Sequence, residues 1–357
     1  MADPHAKPAG AIANSGRLNA DTIEQPEETG VPVAAGTGTA NAALKVRVNA
    51  IAREADEICS YELVDPDGAP LPSFSAGAHV DVRVADGLLR QYSLCNDPSE
   101  THRYLIAVLR EPDGRGGSRT LHQSVKVGDE LTISNPRNHF ALAGREANFH
   151  LLLAGGIGVT PMMAMMHELE DREADYLLHY CTRAPGKTAF LDRLQPRIDA
   201  GKVLLHHDSG DPTQGLDIRA TLAPFTPGMH CYVCGPPGFM SAAMDAVGAW
   251  PPHAVHREYF TSPEQDEERI NTPFQVQLSR SGHVLDVPAD RSIVDVLRAH
   301  GLDIETSCED GYCGTCMTRY LDGEPEHRDT VLDDGDRKKY VMICCARATG
   351  AALVLDL

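Results

Sequence analysis

The side chains best equipped for redox chemistry are four cysteines. The stretch Cys308-Glu309-Asp310-Gly311-Tyr312-Cys313-Gly314-Thr315-Cys316 reads C-x4-C-x2-C, and Cys344 lies further on. That is the plant-type [2Fe–2S] spacing. Three thiolates from one loop take one side of a cluster, and a fourth from a distant segment closes it. Gly311 and Gly314 allow turns that a Cβ would obstruct, and they let amide N–H groups approach the cluster sulfurs. A zinc site would favour paired C-x2-C knuckles, and this loop holds only one.

A second set of residues suits phosphate. Arg90-Gln91-Tyr92-Ser93-Leu94 ends a strand-like run. Arginine can clamp a phosphate through two hydrogen bonds, and Tyr92 offers a flat ring. Gly114-Arg115-Gly116-Gly117-Ser118 leads into a short helical stretch. Free amide groups and the helix dipole make such a start an anion site. The two together point to a phosphorylated cofactor. Gly155-Gly156-Ile157-Gly158-Val159-Thr160-Pro161 follows a buried strand and departs from the G-x-G-x-x-G fingerprint. Pro161 suits a first helical turn, where its missing N–H costs nothing. Cys234-Gly235-Pro236-Pro237-Gly238 sits at the carboxyl end of a later strand, where α/β sheets bind ligands.

The elements that must position these residues fall into three blocks. A chain of 357 residues has room for two or three domains. Residues 1–43 are rich in Ala, Gly, Pro and Thr without apolar periodicity, and are expected to form a disordered tail. Residues 44–145 read as short strands at 44–51, 58–64, 79–84, 90–95, 104–110 and 130–134, with a helix at 118–125. Regular short strands predict an antiparallel β-barrel. Residues 146–261 alternate strands (149–154, 176–181, 202–207, 230–234) with helices (160–171, 188–198, 238–250), which predicts a parallel sheet covered on both faces. Residues 262–273 are polar and acidic and read as a linker. Residues 274–357 hold two strands, a helix at 292–300, the cysteine loop and closing strands. The fold class is thus multidomain, α/β plus β.

Composition excludes several partners. A net charge of −19 argues against nucleic acid. The apolar run 151–166 is interrupted by glycines and falls short of the roughly 20 residues of a membrane span, so no membrane association is expected. The first residues lack a basic segment followed by an apolar one. The cysteines cluster as ligands in a long chain, which fits a reducing cytoplasm. Cys59, Cys95, Cys181 and Cys231 read as core cysteines.

The order of these motifs resembles the phthalate dioxygenase reductase family, to which vanillate demethylase reductases also belong. The resemblance covers about residues 44–357. It implies an FMN-binding barrel, a ferredoxin-reductase-like nicotinamide domain and a C-terminal β-grasp ferredoxin. It assigns FMN to Arg90, Tyr92, Ser93, Gly116, Gly117 and Ser118. It assigns the nicotinamide nucleotide to Gly155, Gly156, Gly158, Thr160, Pro161, Cys234, Gly235 and Pro236. Thr182 and Arg183 fall on the adenosine side, and Phe260 packs near the flavin. Arg183 could serve a 2′-phosphate, but the family prefers NADH. The family reads Cys-x-Ser-Arg-Ala where this chain has Cys344-Cys345-Ala346-Arg347-Ala348. That register makes Cys344 the fourth metal ligand after Cys308, Cys313 and Cys316, and removes any bond from the missing serine. The implied activity is electron transfer from NADH through FMN and the [2Fe–2S] cluster to a terminal Rieske-type oxygenase component. No acid–base or nucleophilic side chain is required. The alternative is an FAD-containing iron–sulfur reductase serving another acceptor, such as a monooxygenase hydroxylase.

Overall fold

The computed structural model describes residues 43–85, 88–112, 116–144, 146–260 and 271–357. The expected tail, Gly114, Arg115 and most of the expected linker lie outside the described residues.

The first sheet uses β1 (Leu44–Ala55), β2 (Ile58–Val64), β3 (Ala78–Ala85), β4 (Leu88–Ser93), β5 (Tyr104–Leu109), β6 (Glu130–Ile133) and the two-residue β7 (Arg137–Asn138). Alternate residues turn inward: Val46, Val48, Tyr61, Leu63, Val80 and Val82 are all buried, as a period of two requires. The order is β4-β3-β6-β1-β2-β5, with β7 beside β3. An antiparallel bridge between Leu94 and Ile106 joins the two ends, so the sheet closes on itself as a barrel. One helix, α1 (Gly117–Ser124), caps it.

The second sheet is fully parallel. It holds β8 (Phe149–Gly155), β9 (Tyr176–Thr182), β10 (Val203–His207), β11 (Met229–Cys234) and β12 (Val255–Glu258), in the order β10-β9-β8-β11-β12. The first strand is therefore flanked by β9 on one side and β11 on the other. That reversal is the switch point of a doubly wound sheet, outside whose carboxyl ends ligands bind. Helices α2 (Val159–Asp171) and α3 (Leu191–Asp199) cover one face, and α4 (Ile218–Leu222) and α5 (Pro237–Ala246) the other.

Some boundaries differ from expectation for local reasons. Helix α3 starts at Leu191 rather than at residue 188. Thr188 spends its hydroxyl on Thr182 and His207, and Phe190 adopts φ 62°. Helix α5 stops at Ala246 rather than at residue 250 because Trp250 turns its indole N–H to the Leu222 carbonyl at 2.9 Å. Helix α4 and strand β12 were not anticipated. Both are too short to carry a period.

The third sheet contains β13 (Phe274–Leu278), β14 (Val284–Val287), β15 (Met317–Glu326), β16 (Tyr340–Met342) and β17 (Arg347–Leu355), with α6 (Ile293–Ala299) packed on it. The order is β14-β13-β17-β15-β16, and β13 with β17 is its parallel pair. Ser292 and Asp295 form a reciprocal capping box that starts α6.

The barrel is tied to the parallel sheet on its outer side. The Asp56 amide donates to the Gly186 carbonyl at 2.8 Å, and Lys187 Nζ pairs with Glu57 at 2.6 Å.

Two histidine ladders cross the parallel sheet. His179 Nδ1 meets His206 Nε2 at 3.0 Å, and His230 Nδ1 meets His256 Nε2 at 2.9 Å. His150 lies beside the second ladder, stacked on Tyr232. Burial is the main cause that holds His150, His179 and His256 neutral, with values pushed down to about 4. Above the usual 6.5 neither state binds the proton. Below it the unfolded chain takes protons that the folded one refuses, so stability falls as pH drops from 6.5 toward 4. One such group contributes up to about 3 kcal/mol. His150→Phe is expected to flatten this acid limb in melting temperature measured against pH. An unchanged slope would show that His150 does not titrate there.

Candidate redox site

Arg90 on β4 lies over the start of α1. A Cβ at Gly117 would meet Arg90 Cγ at 2.5 Å. Gly116, at φ 93°, opens the helix. The guanidinium and the glycine-rich turn are thus brought together, as a phosphate site needs. Ser118 is occupied differently: its hydroxyl accepts the Glu111 amide at 3.0 Å. Tyr92 packs against the barrel core.

A crevice of about 820 Å³ opens at the switch point of the parallel sheet. Of the residues expected there, Gly155, Gly156, Thr182, Arg183, Gly235, Pro236 and Phe260 line it. Gly158, Thr160, Pro161 and Cys234 lie beneath its floor, all buried. A Cβ at Gly158 would stand 2.2 Å from the Cys234 carbonyl oxygen, so only glycine lets the two loops close on each other. Thr160 donates its hydroxyl to the Ile157 carbonyl at 3.0 Å. Burial, and then the nearby Glu258, push the Cys234 thiol well above its usual value. Cys181, expected in the core, is half-buried and lines the crevice instead.

Glu258, two residues before Phe260, has no role in the sequence reading. It ends β12 in register with Cys234. Ser93 Oγ donates to it at 3.2 Å, and His79 Nδ1 lies 3.9 Å away. Burial raises its carboxyl to about 8, against the Ser93 bond, so it carries a proton at neutral pH. No sequence signal singled it out, because β12 is too short to carry a period and its pairing with Cys234 spans 24 positions. Ser93 and Glu258 form the inner join between barrel and parallel sheet.

The cysteine loop lies on the same outer face of β3 and β4. Cys308, Cys313, Cys316 and Cys344 are all buried. Their sulfurs are linked by hydrogen bonds: Cys313 with Cys308, Cys308 with Cys344, and Cys344 with both Cys316 and Cys345. Among the described residues no group of His, Cys, Asp or Glu converges as a lone metal ion would require. The Cys308 amide points at Cys313 Sγ and the Asp310 amide at Cys308 Sγ, each at 3.4 Å. Hydrogen bonds from Cys313 and then Cys344 hold the Cys308 thiol far below its usual value. Cys345 is the half-buried member of the group and is hydrogen-bonded to Cys344. Its sulfur faces the Met342 carbonyl at 3.7 Å and lies 2.4 Å from where a Cβ of Gly311 would be. The donor set and the cradle of positive-φ glycines, Gly311 and Gly314, fit a plant-type cluster.

Fold and site together define an iron–sulfur oxidoreductase with a nucleotide crevice set between a barrel and a parallel sheet, and a ferredoxin-like sheet beside them. Residues 276–349 match the model of the 2Fe-2S iron-sulfur cluster binding domain. The reductase subunit of the tert-butanol monooxygenase / tert-amyl alcohol desaturase of Aquincola tertiaricarbonis is 47% identical over 325 residues, 88% of this chain and 96% of that protein. The vanillate O-demethylase oxidoreductase of Pseudomonas sp. is 44% identical over 319 residues, 88% of this chain and 100% of that protein. A solved phthalate dioxygenase reductase, described as a modular structure for electron transfer from pyridine nucleotides to [2Fe-2S], superimposes with a TM-score of 0.67 at 44% identity, covering 88% of this chain and 98% of that one. The chain belongs to the phthalate dioxygenase reductase family. Among the described residues no helix is long and apolar enough to cross a membrane.

Of the two adjacent cysteines, Cys344 is the buried one and the one hydrogen-bonded to Cys308 and Cys316. Cys344→Ser is expected to abolish the visible absorbance and the reduced-state paramagnetic signal of an iron–sulfur centre, while Cys345→Ser keeps both. The reverse result would move the fourth ligand to Cys345.

Proposed function

We propose that this chain is the NADH-dependent reductase of a Rieske-type oxygenase system, with residues 44–145 holding FMN, 146–261 holding the nucleotide and 274–357 holding a [2Fe–2S] cluster. When bound, FMN accepts a hydride's two electrons and releases them singly, and the cluster carries one at a time. The protein supplies position. Arg90 with Gly116, Gly117 and Ser118 holds the flavin phosphate, and Tyr92 and Ser93 bound the ring. Gly155 and Gly156 form one wall for the nicotinamide half, with Gly158, Thr160 and Pro161 buried behind it, and Gly235 and Pro236 form the other, with Cys234 buried behind it. Thr182 and Arg183 take the adenosine half, and Phe260 covers the seam. Glu258 fixes the Ser93 hydroxyl at that seam with no formal negative charge at neutral pH.

One observation supports this reading above the rest. A single strand, β4, touches both neighbouring sheets: Ser93 bonds to Glu258 at the end of β12 in the parallel sheet, and Gln91 Nε2 donates to the Cys313 carbonyl at 3.4 Å. All ten cysteines are unbridged, which fits a cytoplasmic setting.

Flavin released from the purified protein is expected to chromatograph as FMN, and NADH is expected to bleach it and then the cluster. FAD, or no reduction by NADH, would sink the reading. Arg90→Ala should weaken flavin retention on the order of 10–100-fold, from the loss of about 1.5–3 kcal/mol in a charge-assisted contact. Unchanged flavin content after gel filtration would remove Arg90 from that role.

A further inference from the structure

The cysteine loop meets the barrel through an ion pair that sequence reasoning did not single out. Asp81 on β3 is buried, and Arg137 on β7 is partly so. Arg137 Nη2 pairs with Asp81 Oδ2. The same Nη2 donates to Thr315 Oγ1, in the cysteine loop, at 3.2 Å. Thr315 Oγ1 lies 3.5 Å from Asp81 Oδ2 and 3.3 Å from Cys313 Sγ. A second contact holds the loop in place beside it: a Cβ at Gly314 would stand 2.9 Å from His139 Nε2.

The Thr315 hydroxyl has one hydrogen to give. Two acceptors stand within reach, the Asp81 carboxylate and, once ionised as a ligand, the Cys313 sulfur. Arg137 decides between them. With Cys313 as a thiol, Thr315 Oγ1 accepts from Arg137 and from Cys313 Sγ and donates to Asp81 Oδ2. Arg137 competes for that same carboxylate oxygen, so once the Cys313 sulfur is ionised and becomes an acceptor the hydroxyl hydrogen turns to it. A hydrogen bond to a ligand sulfur stabilises the added negative charge of a reduced cluster and raises its potential.

We propose that the Asp81–Arg137 pair of the barrel acts through the Thr315 hydroxyl to set the reduction potential of the iron–sulfur centre carried by the neighbouring sheet. The proposal rests on the reading that Cys308, Cys313, Cys316 and Cys344 hold a [2Fe–2S] cluster. Asp81 and Arg137 are positioning residues in this account, since neither touches the cluster itself. The two ends of the pair act with opposite sign. Removing Arg137 takes away a positive charge and frees Asp81 to draw the hydroxyl from the sulfur, which lowers the potential. Removing the Asp81 charge takes away a negative charge and weakens the competing acceptor, since an amide oxygen accepts less strongly than a carboxylate, which raises it.

The test is a redox titration of the full-length holoprotein, followed by the visible bleaching and the paramagnetic signal of the reduced cluster. Thr315→Val and Arg137→Gln are expected to titrate at lower potential than the parent, and Asp81→Asn at higher potential. The size expected is on the order of tenfold in the reduced-to-oxidised ratio at a fixed poise, about 59 mV for a one-electron couple. Thr315→Ser keeps the hydroxyl and should titrate with the parent. Arg137→Lys keeps the charge and should lie nearer the parent than Arg137→Gln, which keeps the comparison available if the glutamine variant loads poorly. Shifts of the same sign for Arg137→Gln and Asp81→Asn, or no shift in either, would overturn the proposal. A parent holoprotein without the cluster's paramagnetic signal would instead overturn the reading beneath it.

Discussion

The arrangement depends on the two-residue period of one strand pair. In the β3–β4 ladder His79 faces Ser93 and Asp81 faces Gln91, and residues two apart on a strand share a face. The first pair looks toward Glu258 and the crevice. The second, one pleat further on, looks toward the cysteine loop. A step of two residues spans only about 7 Å. Electron transfer between two centres needs them close and held rigidly, and a pleated strand supplies both at once. A one-residue register slip would turn all four side chains into the barrel core.

The crevice relies on backbone approaching backbone. Gly155, Gly158 and Gly235 would each place a Cβ within about 3 Å of the opposite loop, and for Gly158 the obstacle is the Cys234 carbonyl at 2.2 Å. Backbone cannot rotate away as a side-chain tip can. The buried polar groups around this point are few, and Ser93 and Glu258 satisfy each other. His79 lacks a hydrogen-bond partner among the described residues. Burial keeps it neutral, which spares the site an uncompensated charge.

Much of this was legible in the sequence because the signals are local. The C-x4-C-x2-C spacing, the glycine loops after buried strands and the alternation of short strands each fall within a window of a few residues. The order of the motifs carried the family. What stayed hidden is what acts across distance. Thr315 and Arg137 are 178 positions apart, and Ser93 and Glu258 are 165 apart. No periodicity joins such residues, and their types are commonplace. Thr160 and Cys234 were legible as members of their loops, but not as buried supports under the crevice floor. That distinction turns on which side of a tight glycine turn a side chain falls.

The outer join between Asp56 and Gly186, reinforced by Lys187 and Glu57, has a consequence for how nucleotide is met. The crevice is braced at its far end by this contact and at its near end by Ser93 and Glu258. Both ties run between the barrel and the parallel sheet, so they fix the two bodies whose loops form the crevice walls. Each turnover must admit a reduced nucleotide and expel an oxidised one. A doorway that stands open serves both passages, and it leaves discrimination to the chemistry of the walls.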